Sequence, residues 1–252
     1  MSMPSADQSW LSPPVDLTLA GRELHVWRIR LEGSAAARPQ LAHTLSADEH
    51  RRAARFYFEK DRRHFIASRG ALRCLLSRYL HIPPERLQFR YGAHGKPALA
   101  PERGGDALHF NVSHSHGLAL CAFAYAQDIG VDLEYVHPLD DLEPIAQRFF
   151  SAYESSRLLA LLPAQRLEAF YNCWTRKEAY IKACGAGLAY ALNRFDVSLA
   201  PGEPAQILSI DGSASKAARW FLQALTPAPD YAAAVAVEGQ GWHIQCWQWP
   251  GD

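Results

Sequence analysis

The sequence predicts an α+β fold built as two similar halves. Apolar residues alternate at period two in some segments and recur at helical spacing in others, and the same order of segments, strand then helices then strands, is run through twice. The two runs join near Gln127-Asp128, which divides the chain into residues 1–127 and 128–252. No residue-level repeat is visible between them, so the prediction rests on the order of elements.

Each element has its own signature. After a Pro- and Ser-rich lead, Leu24 to Leu31 alternates as a strand, and Ser46-x-x-Glu49 resembles a capping box that opens a basic helix through Phe58. From Asp61 to Leu80, Phe65, Ile66, Leu72, Leu75, Leu76, Tyr79 and Leu80 recur at helical spacing until Pro83-Pro84 ends the pattern. Strand-like segments follow at Leu87 to Tyr91, Leu108 to Ser113 and Leu118 to Tyr125. The second half starts with a strand at Ile129. It continues with helical patterns from about Leu139 to Leu162 and from Pro163 to Cys184. It returns to strands around Phe195 to Leu199, Arg219 to Leu225, Tyr231 to Val237 and His243 to Gln248.

Composition narrows the class of protein. At 252 residues the chain is long enough for a real core, and 48% apolar with 21% charged residues is ordinary for a globular chain. Twenty-six basic residues balance twenty-six acidic ones, so no global field favours nucleic acid or an anionic membrane. Five scattered cysteines, Cys74, Cys121, Cys173, Cys184 and Cys246, form neither a disulfide pattern nor a thiolate metal site, which points to a reduced cytoplasm. The first residues lack a basic region followed by an apolar core, so no signal peptide is expected, and no apolar run reaches the length of a membrane span.

Two segments carry the chemistry. In Ile129-Gly130-Val131-Asp132-Leu133-Glu134 a strand would turn both acids to one face, and like charges two residues apart invite a cation beside them. In Trp174-Thr175-Arg176-Lys177-Glu178-Ala179-Tyr180-Ile181-Lys182 a helix would stack Trp174, Glu178 and Lys182 along one side. Asp132, Glu134 and Glu178 together offer hard oxygen ligands to Mg²⁺, an ion that keeps several waters and takes further ligands from a phosphate. Taken alone, the acids also suit the solvent side of an edge strand, and the helix suits an ordinary amphipathic one. Gly185-Ala186-Gly187-Leu188 ends that helix with two glycines.

Upstream, Phe110-Asn111-Val112-Ser113-His114-Ser115-His116 gathers hydroxyls, an amide and imidazoles at an expected turn, where a phosphate monoester or plain solvent would suit them. Gly92-Ala93-His94-Gly95-Lys96-Pro97 reads as a strand connection or as a loop placing Lys96 on an anion. Arg51, Arg52, Arg55, Arg62, Arg63, Arg69 and Arg73 form a basic run expected to lie mostly in solvent, some of it free to hold a phosphate or an acidic partner.

In this order, Gly95-Lys96-Pro97, Asn111-Val-Ser113-His114-Ser115, Gly130-Val-Asp132-Leu-Glu134 and Trp174-x-x-Lys177-Glu178-Ala179-x-x-Lys182-x-x-Gly185-x-Gly187-Leu188 resemble the motifs of the 4′-phosphopantetheinyl transferases of the long, surfactin-synthetase-activating type. The resemblance spans about Arg52 to Leu188. It implies a pseudo-dimer of two α+β halves with coenzyme A in the cleft between them. It further implies transfer of the phosphopantetheine arm to a serine of an apo acyl or peptidyl carrier protein, with release of adenosine 3′,5′-bisphosphate.

By the same resemblance, Mg²⁺, or Mn²⁺, sits on Asp132, Glu134 and Glu178. Lys182 and Lys177 meet the pyrophosphate, and Glu178 is the candidate base. Ser113, His114, Gly95, Lys96, Pro97, Arg69 and Arg52 surround the adenine and 3′-phosphate of coenzyme A. A chain holding both halves is expected to act as a monomer. The rival readings are a Mg²⁺-dependent phosphohydrolase of nucleotides or coenzyme A, and a non-catalytic coenzyme A-binding protein.

Overall fold

Two helices of 22 residues, each laid on one face of a β-sheet, organise the chain. The computed structural model describes residues 9–32, 38–92, 95–100, 107–185, 187 and 190–250; His94, Ala186 and Leu188, singled out in the sequence, lie outside these. The first half runs β1 (Glu23–Arg30), α1 (Arg38–His43), α2 (Ala47–Ala53), α3 (Glu59–Leu80), β2 (Phe89–Tyr91), β3 (Pro97–Leu99), β4 (Leu108–Ser115) and β5 (Leu118–Tyr125). The second runs β6 (Ile129–Tyr135), α4 (Leu142–Phe149), α5 (Ala152–Ala160), α6 (Pro163–Cys184), β7 (Phe195–Val197), β8 (Ile207–Ile210), α7 (Ala214–Ala217), β9 (Trp220–Leu225), β10 (Tyr231–Glu238) and β11 (His243–Gln248).

Most of these elements stand where the periodicity places them, and the differences have local causes. The helix expected to reach Phe58 stops at Ala53, because Phe58 takes an extended conformation (φ −93°, ψ 133°) as N-cap of α3. The helical stretch expected over 139–162 is broken at Phe150, also extended. There the Oγ of Ser151 accepts from the Glu154 amide and Glu154 accepts from the Ser151 amide, a capping box that starts α5 afresh. The strand expected over Leu108 to Ser113 runs on to Ser115 as β4, so the polar run lies on the strand and the turn follows it at His116-Gly117.

Strand order recurs between the halves. One sheet runs β11-β1-β5-β4 and the other β6-β10-β9, so β1-β5-β4 has its counterpart in β6-β10-β9, all antiparallel. β11 is the addition. It crosses back from the second half to pair in parallel with β1, from Glu23↔His243 to Arg28↔Gln248.

The alternation of each strand sorts its side chains into three cores. Trp27, Ile29, Cys121 and Phe123 pack under Leu72, Leu75 and Leu76 of α3. Val26, Leu120 and Ala122 on the opposite face meet Val131, Leu133, Val235 and Val237 of the second sheet. Ala234 and Ala236 turn away from that contact toward Phe170, Ala179 and Ile181, which belong to the core beneath α6. The result is helix, sheet, sheet, helix. It explains why β5 is buried over nearly its whole length, since both of its faces are covered.

A residue-level likeness between the halves does exist, contrary to the sequence reading. Glu49, third residue of α2, accepts from the Ser46 amide at 2.9 Å and from Arg73 Nε at 2.6 Å, while Arg73 also donates to the carbonyls of Pro84 and Leu87. Glu154, third residue of α5, accepts from the Ser151 amide at 2.9 Å and from Lys177 Nζ at 2.7 Å, while Lys177 also donates to the Phe195 carbonyl. Arg73 and Lys177 occupy the same place in their long helices, since Glu59 to Arg73 and Pro163 to Lys177 are equal intervals. Arg73, expected in solvent, is therefore buried at 1% exposure.

One glycine sets how closely α6 lies on its sheet. A Cβ on Gly130 would stand 2.1 Å from the Ala179 carbonyl oxygen and 2.3 Å from the Ala183 amide nitrogen, both of them helix backbone. Alanine faces on β10 (Ala234, Ala236) keep the neighbouring surface equally low. Gly130→Ala must therefore push α6 off the sheet, with an expected loss of about 3 kcal/mol of stability in urea denaturation. A Gly130→Ala protein as stable as the parent would refute this packing.

Candidate active site at the seam between the sheets

β4 and β6 are the edges at which the two sheets adjoin, and polar side chains join them. Because side chains alternate along a strand, Asn111, Ser113 and Ser115 of β4 point to β6 while Val112, His114 and His116 turn to an adjoining cleft. The Val131 amide donates to Asn111 Oδ1 at 2.9 Å, and the Tyr135 amide donates to Ser115 Oγ at 3.1 Å. The exposed edge of β6 is thereby satisfied without a ladder. Ser113 Oγ donates to Asp132 Oδ1 at 3.0 Å, and Ser115 Oγ donates to Glu134 Oε2 at 3.0 Å. Asn111 and Ser115 were not assigned these roles from the sequence, although their period-two spacing with Ser113 was the available signal.

α6 completes the acid cluster from above. Its close seat on Gly130 brings Lys182 Nζ to 2.5 Å from Asp132 Oδ1 and 3.1 Å from Ser113 Oγ. Desolvation first, then the Asp132 charge, hold Glu178 above the usual carboxylate range, with Lys182 opposing. Glu134 is raised for the same two leading reasons, opposed by the Ser115 hydrogen bond and Lys182 and reinforced by Glu178. Asp132 is 3% exposed, and its Oδ2 has no hydrogen-bond partner among the described residues.

An unpartnered buried carboxylate oxygen, with two more acids raised by desolvation and then by its charge, offers the oxygen donors that a hard divalent cation takes. Among the described residues no group of three or more His, Cys, Asp or Glu side chains is gathered closely enough to hold a metal ion.

The cleft beside the seam has a volume of about 870 Å³ and is lined by Arg52, Arg69, Gly95, Pro97, His114, Ser115 and His116, together with Phe56, Lys60, His64 and Phe65. The Arg69 guanidinium lies 5.1 Å over the Phe89 ring and its Nε is 3.5 Å from Glu49 Oε1. Its Nη1 is buried with no hydrogen-bond partner among the described residues, so an anion in the cleft would meet a ready donor. Arg52 lies 5.3 Å over Phe65. Desolvation, then Lys182 and Arg52, keep the His114 pKa below the ordinary value, and a bound phosphate would reverse the latter two.

Three expected site residues point elsewhere. Lys177 is wholly buried between Glu154 Oε1 at 2.7 Å, the Phe195 carbonyl at 2.6 Å and the Phe195 ring at 4.0 Å, so it does not reach the pyrophosphate position beside Lys182. Five residues apart, the two lysines leave opposite sides of the helix. Ser113 is spent on Asp132 and Lys182 and does not line the cleft. Lys96 also stays out of the cleft wall, its ammonium donating to the carbonyls of Lys182 (2.7 Å) and Ile129 (3.3 Å).

These placements have measurable consequences. Lys177→Met leaves Glu154 buried without its cation and is expected to cost about 3–5 kcal/mol in denaturant unfolding, an effect of stability that a surface lysine would not show. Glu178→Gln acts in the other direction. A carboxyl whose folded pKa is raised favours the fold in its protonated form, so its charge costs stability at pH 7 and the cost fades as pH falls through that pKa. Metal-free Glu178→Gln is expected to melt about 2 °C higher than the parent at pH 7, with the gap closing toward pH 4; a lower melting temperature at pH 7 would show that Glu178 is not in this field.

Similarity to known proteins extends over both halves of the chain. A family model described as the 4'-phosphopantetheinyl transferase superfamily matches residues 128–236, and one described as 4'-phosphopantetheinyl transferase, N-terminal, matches residues 32–125. The 4'-phosphopantetheinyl transferase psf-1 of Bacillus pumilus is 32% identical over 207 residues, 82% of this chain and 85% of its own. Sfp of Bacillus subtilis (strain 168), also a 4'-phosphopantetheinyl transferase, is 37% identical over 155 residues, 62% of this chain and 66% of its own. A crystal structure of Thermotoga maritima holo-[acyl-carrier-protein] synthase aligns at TM-score 0.34 and 18% identity over 45% of this chain and 64% of that one, too loose a fit to add to the assignment. The 4'-phosphopantetheinyl transferase HetI of Nostoc sp. (strain PCC 7120) is 44% identical over 241 residues, 96% of this chain and 98% of its own. With identity at that level across nearly the whole of both chains, this chain belongs to the 4'-phosphopantetheinyl transferase family.

Proposed function

We propose that the chain is a Mg²⁺-dependent enzyme that moves the 4′-phosphopantetheine arm of coenzyme A onto a serine of apo acyl or peptidyl carrier proteins. The observation that carries this reading is the seam cluster: Asp132 with a free buried oxygen, Glu134 and Glu178 raised by desolvation and then by its charge, and Lys182 among them, opening beside a cleft large enough for a nucleotide. Bound there, Mg²⁺ would neutralise the negative charge that builds on the pyrophosphate oxygens.

The chain's own groups do the rest. The carrier serine oxygen attacks the phosphorus that bears the pantetheine arm, and the bond to the bridging oxygen of the pyrophosphate breaks. Adenosine 3′,5′-bisphosphate leaves with that electron pair. Glu178, with its basicity raised by desolvation and Asp132, accepts the serine proton. Lys182, with its ammonium already held at the seam by Asp132 and Ser113, meets the charge on the departing oxygen. Arg69 and Arg52, with His114, face the 3′-phosphate, and Gly95 and Pro97 bring backbone close to the adenine.

The same reading treats residues 1–127 and 128–252 as two halves of a pseudo-dimer. The recurring strand order and the matched Glu49–Arg73 and Glu154–Lys177 pairs support it. One chain then supplies both walls of the site and works as a monomer. Cysteines that form no disulfide suit a reducing cytoplasm, and no described helix is long and apolar enough to cross a membrane.

Intact-mass measurement tests the reading. With coenzyme A, Mg²⁺ and a panel of apo carriers, at least one carrier is expected to gain about 340 Da, the mass of the arm. Asp132→Ala should slow this about a thousandfold, and chelation should stop it. Cleavage of coenzyme A without a carrier adduct would replace this reading with hydrolysis.

A further inference from the structure

Lys96 has no contact of the kind expected of a phosphate ligand. Its own backbone is fixed by the closure of the β2–β3 hairpin, where the Gly92 amide donates to the Lys96 carbonyl at 3.0 Å and Tyr91 pairs with Pro97. From that fixed base the side chain crosses to the other half. Its ammonium donates to the carbonyls of Lys182, in the last turn of α6, and Ile129, the first residue of β6. The last carbonyls of a helix have no intrahelical donor, and they carry the negative end of the helix dipole, so a cation there is held by both effects. Two of its three N–H groups are thereby used. The helix turn beyond is a tight one, with Gly185 at φ 66°.

The two carbonyls bracket the chemistry. Lys182 is the residue whose ammonium lies on Asp132, and Ile129 leads through Gly130 into Asp132. On the hairpin side, Gly95 and Pro97, the neighbours of Lys96, line the cleft. We propose that Lys96 is a positioning residue, a clamp that ties the cleft-lining hairpin of one half to the strand start and helix end that hold Asp132 and Lys182 in the other. It acts on the reaction through Lys182 and not by binding the 3′-phosphate. This rests on the transferase reading for its kinetic consequence only, since the clamp itself is a contact within the protein.

Two experiments on the full chain decide it. Hydrogen exchange on the ligand-free protein is expected to show faster exchange in Lys96→Met over residues 129–132 and 180–185, with Lys96→Arg restoring protection because its guanidinium reaches both carbonyls; unchanged exchange in Lys96→Met overturns the clamp. Kinetics then compare coenzyme A with 3′-dephospho-coenzyme A. Lys96→Met is expected to lower kcat about tenfold or more with KM for coenzyme A changed by less than about twofold, and to keep the parent's ratio of kcat/KM between the two cosubstrates. Arg69→Met, by contrast, is expected to collapse that ratio. Loss of the ratio in Lys96→Met would make Lys96 a phosphate ligand, and a lowered melting temperature with kcat intact would make it only structural; either overturns the proposal. An inactive parent protein would count against the transferase reading, while the exchange result would still judge the clamp.

Discussion

The contact on which the active site depends is the close approach of a helix to a strand at Gly130. Backbone carbonyl and amide atoms of α6 occupy the space where any side chain on that residue would stand. This spacing lets a carboxylate two positions further along the strand and an ammonium rising from the helix come within hydrogen-bond distance. The other features follow from it. Asp132 is driven into the protein, its charge is answered on one oxygen by Lys182 and Ser113, and its second oxygen has no hydrogen-bond partner among the described residues. A buried carboxylate oxygen without a partner costs stability, so the proposed function is where this arrangement finds its use.

The halves share an internal device as well as a strand order. In each, a glutamate at the third position of a short helix caps that helix and receives a cation from the middle of the long one. The cation then satisfies carbonyls of the chain that follows the long helix. Arg73 and Lys177 thus orient their helices against the rest of each half, and they do it with charges removed from water, where the pairing must be complete to be tolerated. Residues beside them on the same helices are free to diverge: Glu178 and Lys182 serve the seam, while Arg69 turns to the cleft.

How much of this was legible in the sequence depended on range. Long periodic segments such as Asp61 to Leu80 and Pro163 to Cys184 declare themselves, because burial of one stripe repeats many times. Short elements, α1, α7, β3 and β8, carry too few residues for any period to show. That one strand carries Asp132 and Glu134 and one helix carries Glu178 and Lys182 was readable from spacing. Lys177 and Lys96 were misread for one reason: a lysine beside a site looks the same in sequence whether its ammonium faces a ligand or a carbonyl. Which it faces is decided by a partner far along the chain, Glu154 for one and the end of α6 for the other. The bonds of Ser113 and Asn111 to β6 were not foreseen because the polar run was read for a ligand or solvent, when its alternation on the strand ending at Ser113 already meant that its outward groups would meet a neighbour.

The return of β11 to the first sheet bears on how the molecule can be taken apart. β1 lies between β5 and this final strand, so the first half is finished only by residues that follow everything in the second. A fragment cut at the midpoint would carry an open strand edge and an apolar sheet face together, which is a template for aggregation. Folding is therefore obliged to be a joint event, completed only when the tail arrives, and schemes that shuffle or split such chains have to carry the last strand along with the first.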